Sequence, residues 1–245
     1  MNNDIRDLGI NLLGGVLVAF LDRVIIFLNN KFIGYRYKQI FGNDTIEFNI
    51  VYGKMVLKPR YSNSDRYPYL KPNTGGEFRI SSPVSFAETR AAKYLSESFS
   101  KALKKSPRLI SDDEIWERID ISYCSLGGYN NLKTIQIIES TQNEFLELNL
   151  NQPCSIINKR CRHIFYSTDN IHDYALIIKI KNKLFPNRTQ ICVAGLAEWG
   201  TSGGSWFLAN KWQELRKKVG YRNFGAVIRV RVGADESAEL IEVIQ

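Results

Sequence analysis

Two stretches of this chain combine glycine, hydroxyl and amide side chains in the manner of an anion or nucleotide site. The first is Ser125-Leu126-Gly127-Gly128-Tyr129-Asn130-Asn131. The second runs over 195–205 and holds Glu198, Gly200, Thr201, Gly203, Gly204 and Ser205. Each follows a short apolar run and leads into a helical pattern. A strand feeding a Gly-rich turn that feeds a helix presents backbone N–H groups to an anion at the helix N-terminus. The candidate ligand-binding residues are therefore Ser125, Gly127, Gly128, Asn130, Asn131, Gly200, Thr201, Gly203, Gly204 and Ser205. Glu198 is the candidate catalytic group, a nucleophile or general base placed between strand and helix. The same residues also read as plain structure: strain-relieving glycines, helix-capping hydroxyls and a solvated carboxylate.

Other chemistries lack their residues. There is no G-x-G-x-x-G, no P-loop lysine and no G-x-S-x-G elbow. The cysteines, Cys124, Cys154, Cys161 and Cys192, form no C-x-x-C pair, and His163 and His172 stand nine apart on loop-like sequence. Neither a metal site nor a cofactor is expected.

The elements that must position these residues begin with an apolar run at 10–28, INLLGGVLVAFLDRVIIFL. A membrane-spanning helix takes about 20 apolar residues. Asp22 and Arg23 interrupt the run near its end, where both can reach towards headgroups. Gly14 and Gly15 offer a small face for a second helix. The competing readings are a core helix, a surface helix and a signal peptide. The first nine residues are acidic rather than basic and no cleavage pattern follows, which disfavours the last. Lys and Arg accumulate after the run, so the bulk of the chain is expected on the cytoplasmic side of a bacterial inner membrane. The net charge of +8 fits membrane lipids as a partner, with nucleic acid second.

The expected organisation is an anchor over 1–30, juxtamembrane strands and a loop over 31–77, and a Rossmann-like α/β domain over 78–245. Alternation predicts a strand over 45–52, and Pro, Ser and Gly predict a loop over 61–77. A short strand is expected over 78–82. Ser85 with Glu88 reads as a capping box for a helix over 86–103. Strands are expected near 119–124, 144–148, 163–166, 174–180 and 190–194. A helix follows over 206–219, and an antiparallel hairpin over 225–244 closes one edge, with Arg229 or Arg231 meeting Glu239 or Glu242.

With both Gly-rich stretches in hand, the domain over 78–232 resembles Rossmann-like domains of bacterial conflict systems, of the SLOG and nucleoside-deoxyribosyltransferase kind. The resemblance implies a nucleotide-derived ligand. Joined to an N-terminal membrane segment, it is similar to membrane effectors of antiphage modules of the retron or cyclic-nucleotide type. It implies a toxic membrane segment, a partner encoded alongside and a homo-oligomer. A tethered nucleotide-processing enzyme and a tethered scaffold are the alternatives.

Overall fold

The computed structural model describes residues 2–43, 47–55, 84–149, 151, 153–166 and 171–245; for residues 2–17 the description covers the helical backbone only. Helix α1 (Asn2–Phe41) is followed by β1 (Asn49–Tyr52), α2 (Phe86–Leu103), β2 (Arg108–Ser111), β3 (Tyr123–Leu126) and α3 (Leu132–Ile138). Then come β4 (Leu146–Asn149), β5 (Ser155–Asn158), β6 (Ile164–Tyr166), β7 (His172–Lys181) and β8 (Thr189–Gly195). Helices α4 (Glu198–Asn210) and α5 (Trp212–Val219) precede β9 (Phe224–Arg231) and β10 (Ala234–Ile244).

Seven strands form one mixed sheet in the order β10-β9-β7-β8-β3-β1-β2, and β4-β5-β6 form a second, antiparallel sheet. The strands β8, β3, β1 and β2 are mutually parallel, whereas β7, β9 and β10 pair antiparallel. Alternation along the strands fills two cores. Ala175, Ile177, Ile191, Val193 and Ile228 face α2, α4, α5 and the end of α1. Leu176, Ile178, Cys192, Ala194 and Val227 face α3 and the small sheet. The period of two puts successive residues on opposite faces, which is why these strands read as continuous apolar runs.

Among the described residues, helix α1 joins this body at its C-terminal end. Tyr37, Ile40 and Phe41 are fully buried, and Tyr37 packs against Phe41, Phe99 and Trp212 with ring centroids 4.3, 5.2 and 5.1 Å apart. Its hydroxyl donates to Ser98 Oγ at 3.1 Å. Further out, Val18, Phe20, Leu21, Ile25, Ile26, Phe27 and Leu28 are exposed. The segment from residue 31, expected as juxtamembrane strands and a loop, begins instead as the inner end of this helix, and β1 is an interior strand of the main sheet.

Among the described residues no helix is long and apolar enough to cross a membrane. The expected span over 10–28 has its first half, including Gly14 and Gly15, among residues whose side chains lie outside the description. Asp22 and Arg23 sit exposed on α1. The expected strand over 78–82 and the loop over 61–77 also lie outside the described residues.

Two expected element boundaries are corrected. The second Gly-rich stretch is no loop: α4 begins at Glu198 and carries Gly200, Thr201, Gly203, Gly204 and Ser205 within it, and the helix expected at 206–219 is the two helices α4 and α5. The capping box at α2 does not form. Ser85 makes no side-chain capping bond, and Glu88 turns inward to Gly53 just after β1 and to Asn130 in the turn after β3. Strands β2 and β5 were not foreseen. The C-terminal hairpin does close the sheet edge, and Arg229 Nε donates to Glu239 at 2.7 Å.

Candidate functional site

Because β8, β3, β1 and β2 are parallel, their carboxyl ends share one edge of the sheet. The chain leaves β1 for α2 on one face and leaves β3 for α3 on the other. Neighbouring strands whose connections part to opposite faces open a crevice between them, the usual ligand position in such sheets. Around this crevice the structure gathers Gly53, Glu88, Asp112, Gly127, Asn130 and Asn131.

Glu88 is 2 % exposed. Its carboxylate accepts from Gly53 N at 2.8 Å and from Asn130 Nδ2 at 2.6 Å. Burial pushes its carboxyl above the ordinary range, and the two hydrogen bonds pull back against that. Gly127 has φ of 89°, a left-handed conformation, and a Cβ there would lie 2.5 Å from Glu88 Oε1. The glycine is therefore required twice, by its backbone angle and by the carboxylate beside it. A cavity of about 400 Å³ opens beside Glu88, lined by Tyr52, Val84, Thr89, Ala92, Lys93, Ser96 and Leu109. A larger hollow of about 790 Å³ lies away from this crevice, on the loop around Leu184 and Phe185.

The helix N-termini expected to cradle an anion are already filled. Asn131 caps α3, its Oδ1 accepting from Lys133 N at 3.0 Å and Thr134 N at 3.4 Å, while Asp112 Oδ2 accepts from Leu132 N at 2.8 Å. At α4 the cap residue Ala197 has no capping side chain, and Asp173 of β7 supplies the acceptor. Its carboxylate takes Tyr174 N at 2.7 Å, Ala197 N at 3.1 Å and Gly200 N at 2.5 Å. Burial raises the Asp173 carboxyl, again opposed by these N–H groups. Three buried carboxylates, Glu88, Asp112 and Asp173, thus line one edge of a basic protein. A phosphate would meet spent donors and like charge there.

The remaining expected residues take structural places. Ser125 is buried in β3, its Oγ accepting from Thr134 Oγ1 at 2.9 Å. Gly128 packs near Leu148. Thr201 Oγ1 accepts from Gly195 N at 3.0 Å, and Ser205 Oγ is buried without a hydrogen-bond partner among the described residues. Gly200, Gly203 and Gly204 form the side of α4 that lies on the sheet. A Cβ on them would come within 2.3 Å of Tyr174 O, 2.5 Å of Val230 Cγ2 and 2.7 Å of Ala175 Cβ. Glu198 is exposed in the first turn of α4, where a carboxylate suits the helix dipole. Among the described residues its carboxylate joins none of the buried polar network, and only its carbonyl meets Ser202 Oγ, at 3.4 Å.

Beside the crevice, Arg90 of α2 ties three elements together. Its guanidinium donates to Ser202 Oγ at 2.8 Å, approaches Asp235 Oδ2 at 3.4 Å and lies 4.0 Å over the Trp199 ring. Ser202 and Tyr94 donate to the same Asp235 at 2.6 and 2.9 Å. Glu88, Arg90, Asp112 and Asp173 carry this edge, yet nothing in their spacing marks them, since most of their partners lie 20 to 145 residues away along the chain (for example Asp112 with Leu132 and Arg90 with Asp235). Among the described residues no group of His, Cys, Asp and Glu is arranged to hold a metal.

Comparison with protein-family models, with curated proteins and with solved structures finds no match to this chain.

Proposed function

We propose that this chain is a membrane-anchored effector, in which an apolar N-terminal helix enters the inner membrane and a cytoplasmic Rossmann-like domain controls it. One observation carries the reading. Ile25, Ile26, Phe27 and Leu28 are 62, 59, 63 and 57 % exposed, and four consecutive residues complete a helical turn. A protein partner covers one face of a helix; an all-round apolar surface calls for lipid or the centre of a bundle. Burying each such side chain is worth about 1.5–3 kcal/mol. Four of them, about 6–12 kcal/mol together, offset the cost of about 5–7 kcal/mol for placing both Asp22 and Arg23 at depth.

The inner end of the same helix is a core element of the α/β domain. A change at the sheet edge can therefore reach the membrane through rigid packing rather than through a linker. The crevice over Glu88 is the place for a controlling ligand. Its largely apolar walls suit the base of a nucleotide-derived molecule. A pore needs several helices, so the active form is a homo-oligomer. The role in antiviral defence rests on the resemblance stated above. The tethered-enzyme reading loses support from the exposed position of Glu198.

The test is induced expression of the full chain in bacteria, with growth and a potential-sensitive dye as readouts. Collapse of the potential by the full chain, and its loss on replacing Ile25 and Phe27 by Asp, supports the effector. Normal growth and potential, with the protein recovered in membranes, would leave a tethered scaffold instead.

A further inference from the structure

Where α1 leaves the domain, two other helices end beside it. A Cβ on Gly34 would lie 3.5 Å from Ala102 O and 3.7 Å from Leu103 Cδ2, at the last turn of α2. The ring of Tyr35 stands 6.4 Å from that of Tyr221, just beyond the end of α5. Three segments distant in sequence meet at this exit: 29–41, 101–108 and 215–223. Together they hold Lys31, Arg36, Lys38, Lys101, Lys104, Lys105, Arg108, Arg216, Lys217, Lys218 and Arg222, and no Asp or Glu. Lys31, Lys101, Lys104, Lys105, Lys217 and Lys218 are exposed. Among the described residues none of these cations forms an ion pair.

Cations in the last turn of a helix stabilise its dipole, and Arg222 is used in this way, donating to the Val219 and Lys218 carbonyls at 3.2 and 3.1 Å. That role accounts for one or two charges at each end, not for a collar drawn from three helices. The collar flanks the base of an apolar helix, with the end of α2 beside Gly34 and the segment after α5 beside Tyr35. Gly34 lies about 6 Å along the axis from Asn30, so the collar is within about one Debye length of an interface placed at Asn29 and Asn30. A nucleic acid lying across this collar would meet the apolar rod projecting beside it, whereas a bilayer receives the rod and meets the collar with its headgroups.

We propose that this collar seats the domain on an anionic leaflet, with Lys31, Lys101, Lys104, Lys105, Lys217 and Lys218 against phospholipid headgroups. The inference rests on the membrane-anchor reading and names the lipid that the domain contacts. It fixes which face of the domain looks at the membrane, and it leaves the Glu88 crevice open to solute.

The full chain is reconstituted with phosphatidylcholine vesicles and with vesicles carrying about one third phosphatidylglycerol. Lysine acetylation by a water-soluble reagent is followed by mass spectrometry, with Lys93 and Lys183 as controls on other faces. Acetylation of Lys104, Lys105, Lys217 and Lys218 is expected to slow several-fold on anionic vesicles alone, and to recover at high salt. Equal rates on both vesicle types would overturn the collar. Failure of the chain to float with neutral vesicles would instead overturn the anchor. The collar is tested without the anchor by the variant Ile25→Asp with Phe27→Asp. Its flotation with anionic vesicles should persist, be salt-sensitive and fall on the order of several hundredfold when the four lysines become Gln. Binding unaffected by those four substitutions would refute the collar.

Discussion

Replacing Gly200 by Ala separates a helix seated on the sheet from a ligand-binding loop. In a helix interior with free surroundings, Gly→Ala stabilises by about 1 kcal/mol. Here the new methyl would stand 2.3 Å from Tyr174 O and 2.8 Å from Gly195 Cα, both backbone atoms. Gly195 has no room to retreat, because its own missing Cβ position is 2.3 Å from Thr201 N. The methyl must lift α4 from the sheet. That stretches the bonds from Gly195 N to Thr201 Oγ1 and from Ser202 Oγ to Asp235, and overpacking of this kind costs about 1–3 kcal/mol. The net expectation is destabilisation, the opposite sign to propensity. Gly34→Ala is the matched control, since its methyl meets only ordinary contacts at 3.5 and 3.7 Å and should be neutral or stabilising by up to about 1 kcal/mol. Thermal unfolding in mild detergent, followed by tryptophan fluorescence, reads both. A domain of this size loses about 2–4 °C per kcal/mol. If Gly200→Ala melts with or above Gly34→Ala, α4 is not flush with the sheet and the packing argument fails.

Three further outcomes follow from the same edge and core. Asp173→Ala strips the acceptor from Tyr174 N, Ala197 N and Gly200 N and should cost about 1–3 kcal/mol in urea unfolding, with Asp173→Asn recovering part of it. Glu88 holds its proton more tightly folded than unfolded, so wild-type stability should fall as pH rises from the unfolded carboxylate range through the folded one. Glu88→Gln should flatten that fall and gain on the wild type towards neutral pH; parallel curves would deny the buried carboxyl. Lys179, buried and among the described residues donating to Gln39 O alone, at 2.5 Å, has its pKa pushed down to about 7 by burial. The unfolded chain then binds the extra proton between pH 7 and about 10. The wild type should accordingly gain stability on Lys179→Met as pH rises through that window.

What could be read from the sequence was local. The inner-face spacing of Ala87, Ala91, Leu95 and Phe99, stopped by Pro107, marks α2 at its observed bounds. The runs of β7, β8 and β9 announce themselves because both faces of the sheet are covered. Strands β2 and β5, of four residues each, are too short to show a period. Glycines hid α4: they lower helix propensity, and only the strands beneath explain them. Likewise Ser85 and Glu88 have capping-box spacing, but the Gly53 N–H, 35 residues away, competes for the carboxylate and wins. At the crevice, Gly127 and Asn130 stand out in the sequence by residue type, whereas Glu88 reads there as a cap and Asp112 and Asp173 do not stand out, because their places arise from tertiary hydrogen bonds.

The central claim is that the apolar half of α1 lies in lipid. The most direct measurement is carbonate extraction of membranes from cells expressing the full chain beside the Ile25→Asp, Phe27→Asp variant. The account predicts that the wild type stays in the membrane pellet and the variant moves to the supernatant. Wild-type protein released by carbonate would contradict it, and would turn the exposed helix into a surface for another protein.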